Sequence, residues 1–162
     1  MNRLIIFLLL VTAGTAAYAQ GEQPKSNFSG TWVFDAHKSK LTVPAPSAMT
    51  LLIKQDNDQF NFDRSQTYGE QSFNWKLDAV VGSAQPTEDK APGYTTSSKL
   101  YWDNSVLVLE QTITAADGTK VNDLVKYTMM DNGNTLKAIE MQTTNGGKGA
   151  NSNTWVYARK AQ

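Results

Sequence analysis

The stretch Met49-Thr50-Leu51-Leu52-Ile53-Lys54-Gln55-Asp56-Asn57-Asp58-Gln59-Phe60-Asn61-Phe62-Asp63-Arg64 decides the fold class. Met49, Leu51 and Ile53 alternate with Thr50, Leu52 and Lys54, and Phe60, Phe62 and Arg64 repeat the same period of two on the far side of Asp56-Asn57-Asp58. Successive side chains of a strand point to opposite faces, so this period gives one buried and one wet face. Asn and Asp favour tight turns because their side chains bond to the nearby backbone and they tolerate left-handed conformations. The stretch therefore reads as an antiparallel β-hairpin.

The same grammar extends in both directions. Phe28, Gly30, Trp32 and Phe34 alternate with Ser29, Thr31 and Val33, so that the even-numbered face is buried, and Pro44-Ala45-Pro46-Ser47 then breaks regular structure. Phe73, Trp75 and Leu77 mark the next strand. The segment from Asp78 to Gly93, with two prolines and two glycines, reads as a loop or an arm folded over one end of the domain. Strand character returns at 94–102, 106–114, 121–130, 135–143 and 153–160, separated by turns rich in Asp, Asn and Gly. Helix is expected at most as one short turn, in the Asp35 to Leu41 segment. About nine strands joined mostly by short turns must be antiparallel neighbours. The expected fold is all-β, an antiparallel up-and-down β-barrel of about 8–10 strands, because closure removes exposed edges; a two-sheet β-sandwich is the alternative.

The segment Phe28-Ser29-Gly30-Thr31-Trp32-Val33-Phe34-Asp35, followed by Lys38-Ser39-Lys40, resembles the opening of bacterial secreted lipocalin-like domains. Gly30-x-Trp32 is similar to the first-strand signature of calycin-type barrels. Lys99-Leu100-Tyr101-Trp102-Asp103-Asn104, the stretch from Tyr127 to Leu136, and Trp155-Val156-Tyr157-Ala158-Arg159-Lys160 resemble the same group in the same order. The resemblance implies a barrel over the mature domain and small-molecule binding inside it. The Thr-Asp-Tyr motif and the disulfides of many animal lipocalins are missing from the chain. Physically, Trp32 is a large plate on a buried face, Gly30 lets another backbone approach, and a cation from the last strand can lie over the indole. Arg159 is the candidate and Lys160 the runner-up; the alternative is that Arg159 extends into solvent.

Residues Met1 to Ala19 read as a cleavable signal peptide: Arg3, an apolar run from Leu4 to Val11, and Ala17-Tyr18-Ala19 at the cleavage site. Thr12, Gly14 and Thr15 interrupt the run short of the roughly 20 residues a membrane span needs. The expected organisation is a signal peptide over 1–19, a flexible leader over 20–27 and a barrel domain over 28–162, in a secreted or periplasmic protein with no membrane anchor after cleavage. Fifteen Lys+Arg stand against fifteen Asp+Glu, and removal of the signal takes away Arg3 alone. That balance argues against nucleic acid as a partner. The chain has no cysteine, so packing and sheet hydrogen bonds must supply its stability.

Chemistry-bearing groups are sparse. His37, the single histidine, lies among Asp35, Lys38 and Lys40 and reads as a solvated surface residue, so no metal site and no cofactor are expected. Asp56 and Asp58, Glu88 and Asp89, and Asp117, Asp123 and Asp131 read as turn-capping groups. Gly146-Gly147-Lys148-Gly149 lacks the ending of a phosphate-binding loop and reads as a hairpin loop. The informative set is aromatic: Phe60, Phe62, Phe73 and Trp75 fall on the inward face of neighbouring strands, with Tyr127 across the barrel. Arg64 is in phase with Phe60 and Phe62; it either points inward, needing a carboxylate from Glu110, Glu140 or a ligand, or sits at the rim in water. Three function classes follow: a non-catalytic binding module for a small apolar or amphipathic molecule, an exported structural or interaction domain with a filled barrel, and, a distant third, an enzyme. The sequence leaves protein partners open.

Overall fold

A computed structural model describes residues 25–144 and 150–161. Ten strands carry the chain: β1 (Gly30–Phe34), β2 (Ala48–Asp56), β3 (Gln59–Tyr68), β4 (Gln71–Val80), β5 (Thr87–Ala91), β6 (Tyr94–Asp103), β7 (Val106–Ala115), β8 (Lys120–Met130), β9 (Thr135–Thr144) and β10 (Ala150–Arg159). They form one antiparallel sheet in the order β4-β3-β2-β1-β10-β9-β8-β7-β6-β5. Strands consecutive in sequence pair with each other except β4 and β5, and β1 pairs with β10, Trp32 opposite Arg159. The result is a nearly closed up-and-down barrel and not two packed sheets. Its free edges are β4 and β5. Next to them, the Val81 N–H donates to the Asp58 carbonyl at 2.7 Å and the Gly82 N–H to the Leu100 carbonyl at 2.7 Å.

The hairpin that opens the sequence reading pairs as expected, Ile53 opposite Phe62 and Leu51 opposite Arg64. Asn57 takes the left-handed backbone conformation its turn requires, as does Asn104 between β6 and β7. The expectation of a loop over Asp78 to Gly93 is corrected in two places, since β4 runs on to Val80 and Thr87–Ala91 forms β5. No helix forms between Asp35 and Leu41, where the Ser39 N–H closes one turn onto the Asp35 carbonyl. A single 3₁₀ turn stands instead at Asp131–Gly133. The signal peptide and the glycine-rich loop over 145–149 lie outside the described residues, as do residues 20–24 of the leader.

One end of the barrel is sealed by Phe28 and Trp32, both fully buried. The Trp32 Nε1–H donates to the Phe28 carbonyl at 3.0 Å, and the Phe28 ring meets Trp102 at 5.8 Å between centroids. Arg159, from the last strand, lies over the Trp32 indole with Cζ 4.2 Å from the ring centroid. Its Nε donates to the Gly133 carbonyl at 2.6 Å and its Nη1 to the Ser29 carbonyl at 2.7 Å. The expected cation over Trp32 is thus Arg159, held in place and not extended into solvent. Gly30 has another task than the one expected of it. At φ +147° a Cβ would fall 2.5 Å from Arg159 Nη1, so the glycine makes room for the guanidinium and not for a second backbone.

At the opposite end the long β1–β2 connection is tied to the barrel wall. Asn153 Oδ1 accepts from the Thr42 N–H at 2.8 Å and from the Thr42 hydroxyl at 3.0 Å, and Lys40 forms an isolated bridge with Thr154. Leu41 and Val43 pack against the core from this connection. Between the two ends lies the interior, and its inward residues change character along β3, β7, β8 and β9.

Candidate functional site: a cavity with an apolar floor and a polar ring

Near the sealed end the inward positions are apolar: Phe62 on β3, Leu109 on β7, Val125 on β8 and Ala138 on β9, all buried. Two residues further toward the other end, the next inward position on each of these strands is polar: Arg64, Gln111, Asp123 and Glu140. The strand register makes these polar residues one band. Ser98 lies opposite Gln111, Gln111 opposite Asp123, Asp123 opposite Gln142, and Glu140 opposite Asn153. Residues of both layers, with Trp75, Trp155 and Tyr157 between them, line a cavity of about 230 Å³.

The polar band is partly satisfied within itself. Gln111 Nε2 donates to Ser98 Oγ at 2.8 Å. Glu140 Oε2 accepts from Asn153 Nδ2 and from the Trp155 indole N–H, both at 2.8 Å, and Gln142 Nε2 lies 3.4 Å from Oε1. Two atoms stand out. Among the described residues, buried Arg64 Nε and Asp123 Oδ1 have no hydrogen-bond partner. The two described ion pairs, Lys38 with Asp35 and Lys76 with Asp63, include neither residue. Instead, the Arg64 guanidinium stands 5.4 Å from the centre of the Trp75 ring.

Electrostatics follow from this enclosure. Burial, reinforced by the neighbouring Glu140, pushes the Asp123 carboxyl up to about 7, while Gln142 and Arg64 act the other way without cancelling it. Burial also raises the Tyr127 and Tyr157 phenols well above their ordinary value, so both stay neutral. The cavity wall thus combines neutral aromatic rings with a small set of charged and amide groups at one level.

The residues singled out in the sequence divide accordingly. Phe62, Arg64, Trp75 and Tyr127 meet around the cavity. The Phe62 ring makes an edge contact with Trp75 at 5.0 Å and a tilted one with Tyr127 at 5.9 Å. Phe60, stacked on Phe62 at 6.3 Å, is core below the floor and does not line the cavity. Phe73 is a correction. It has the inward phase of Trp75 but sits one step from the end of β4, opposite Gln66, and is 48% exposed, packing on Tyr68. Of the two carboxylates expected near Arg64, Glu140 is inside, whereas Glu110 faces outward and accepts from the Tyr101 hydroxyl at 2.6 Å, which holds that phenol up at about 12. Asp123 is not a turn residue but lies mid-strand and only 8% exposed. Its signal was present in the alternation Asp123, Val125, Tyr127, which puts it on the buried face.

Solved structures similar to this chain share its architecture. They include secretory abundant heat soluble protein 4 from Ramazzottius varieornatus, 13% identical, with 86% of this chain and 99% of that one covered at a TM-score of 0.55. Human cRBP IV is 15% identical over 84% of this chain and 100% of its own, at 0.54. A variant of the fluorescent protein UnaG is 16% identical over 83% and 97%, at 0.50. The fold is lipocalin-like. At these identities the likeness is one of fold. No family model and no curated protein matches the chain. In this lipocalin-like barrel the β1–β10 closure carries the Trp32–Arg159 stack at one end, and the cavity lies above it.

Proposed function

We propose that the protein is an exported, non-catalytic binding module that takes a small apolar or amphipathic molecule into its barrel. The observation that carries this reading is the cavity itself, an aromatic chamber of about 230 Å³ with a convergent polar band. Ligand sites are mostly apolar concavities with a few placed polar groups that fix orientation. A filled interior would place Trp75 and Arg64 against other side chains with their polar atoms matched, and Arg64 Nε is unmatched. The volume lies somewhat below the roughly 300–1,000 Å³ of pockets for drug-sized molecules, which points to a compact ligand. The shared fold of human cRBP IV and the UnaG variant supports the reading by analogy of architecture. Export rests on the signal-peptide pattern over residues 1–19.

Native mass spectrometry of the protein purified from its own host tests both parts at once. The expected spectrum shows a chain shortened by residues 1–19 and carrying a retained small mass that is lost on collisional activation. A full-length chain would overturn export, and a bare barrel that also refuses added apolar molecules would overturn binding.

A further inference from the structure

The polar band has an imbalance that bears on ligand chemistry. Among the described residues lining the cavity, two carboxylates, Asp123 and Glu140, face one guanidinium, Arg64. The band holds one unmatched donor, Arg64 Nε, and one unmatched acceptor, Asp123 Oδ1, so the excess lies in charge and not in hydrogen-bonding groups. Glu140 Oε2 has claimed the Asn153 and Trp155 N–H groups, and Asp123 Oδ1, on a residue 8% exposed, is left without a donor. A buried acceptor without a partner is costly, and a ligand that supplies the missing donor recovers that cost. Tyr127 and Phe62 line the same cavity, and a cation that meets a ring face gains from its quadrupole.

Resting on the binding-module reading above, we infer that the cavity selects molecules with a protonated nitrogen, an amine-type head group seated at Asp123 Oδ1 beside Glu140, with the apolar body on the aromatic floor. Arg64 does not reverse the selection. An anion reaching it would enter the field of two carboxylates in a partly desolvated space, where like charges are poorly screened. The ligand's charge and that of Asp123 are linked. The polar groups lining the cavity with Asp123 are Arg64 from β3, Tyr94 and Thr96 from β6, Gln111 from β7, Tyr127 on β8, Glu140 and Gln142 from β9 and Tyr157 from β10; Arg64 and Glu140 are the basic and the acidic side chain among them. Protonating Asp123 removes half of the negative charge and turns its acceptor into a donor. Affinity for a cation therefore falls as pH drops through neutrality.

The test is calorimetric titration of the barrel with three molecules sharing a phenyl body: phenethylamine, 2-phenylethanol and phenylacetate. At pH 8 the amine is expected to bind at least about tenfold more tightly than the carboxylate, with the alcohol between them. At pH 5.5 affinity for the amine should be lower by roughly ten- to thirtyfold, from linkage to a carboxyl titrating at about 7. Asp123→Asn should abolish both the preference and its pH dependence, and circular dichroism verifies that the variant is folded. Equal binding of all three, or tighter binding of phenylacetate, overturns the inference and leaves the binding module standing. Binding of none overturns the binding module, and the inference with it.

Discussion

Replacing Trp32 with alanine is expected to lower the stability of the barrel by about 3–5 kcal/mol. The indole is fully buried at the sealed end, and three separate interactions converge on it. Its truncation opens a cavity under Phe28, leaves the Phe28 carbonyl without the indole donor, and removes the ring beneath the Arg159 guanidinium. The cation–π part alone is worth about 0.5–2 kcal/mol. Arg159 would keep its bonds to the carbonyls of Ser29 and Gly133, so the loss should not unfold the last strand by itself. Urea denaturation measures the effect. Trp32→Phe should recover part of it, since the ring remains and the hydrogen bond does not. A loss below about 1 kcal/mol in the alanine variant would contradict the role given to this end of the barrel.

The second large effect has the opposite sign. Asp123 has its carboxyl raised in the fold from 3.8 to about 7, so between those values the folded chain holds a proton that the unfolded chain has released. Stability contributed by the protonated group is fully present below about pH 4 and is lost as pH rises through 7. Asp123→Asn removes the ionisation and keeps the shape. Near pH 4 the variant and the wild type should be about equally stable. At pH 8 the variant should be more stable by up to about 4 kcal/mol, taking about 1.36 kcal/mol for each unit of displacement. Comparing the two proteins by urea denaturation at both pH values cancels every other titrating group. A variant destabilised equally at both would mean that Asp123 makes a favourable ionic contact in the fold.

Much of this molecule was legible in its alternating residues. The period of two from Phe28 to Lys160 contained the strands, and Asp56-Asn57-Asp58 and Asp103-Asn104 marked their turns. Trp32 and Arg159 could be paired because closing an up-and-down sheet brings its first and last strands together. What escaped has physical reasons. Strand β5 is Thr-Glu-Asp-Lys-Ala at a free edge, where charged residues protect the open backbone and no buried face imposes alternation. Phase alone placed Phe73 inside, yet phase says nothing about where along the barrel a residue sits, and β4 carries Phe73 to the exposed mouth. Asp123 resembled a turn residue because Asn122 precedes it; only its register with Val125 and Tyr127 shows it to be inside. The polar band itself depends on long-range register among six strands, which no local pattern encodes.

The central claim is that the interior receives a molecule, and the four tryptophans report on it at separate places. Trp75 and Trp155 line the cavity, whereas Trp32 and Trp102 belong to the sealed end. Their indole N–H resonances in a ¹⁵N-labelled sample therefore provide a direct reading during titration with a small neutral aromatic alcohol. The account predicts that the Trp75 and Trp155 signals shift together and saturate at one molecule per chain, while those of Trp32 and Trp102 hold their positions. Signals that stay fixed throughout, or that drift together without saturating, would contradict it and leave a barrel that binds nothing.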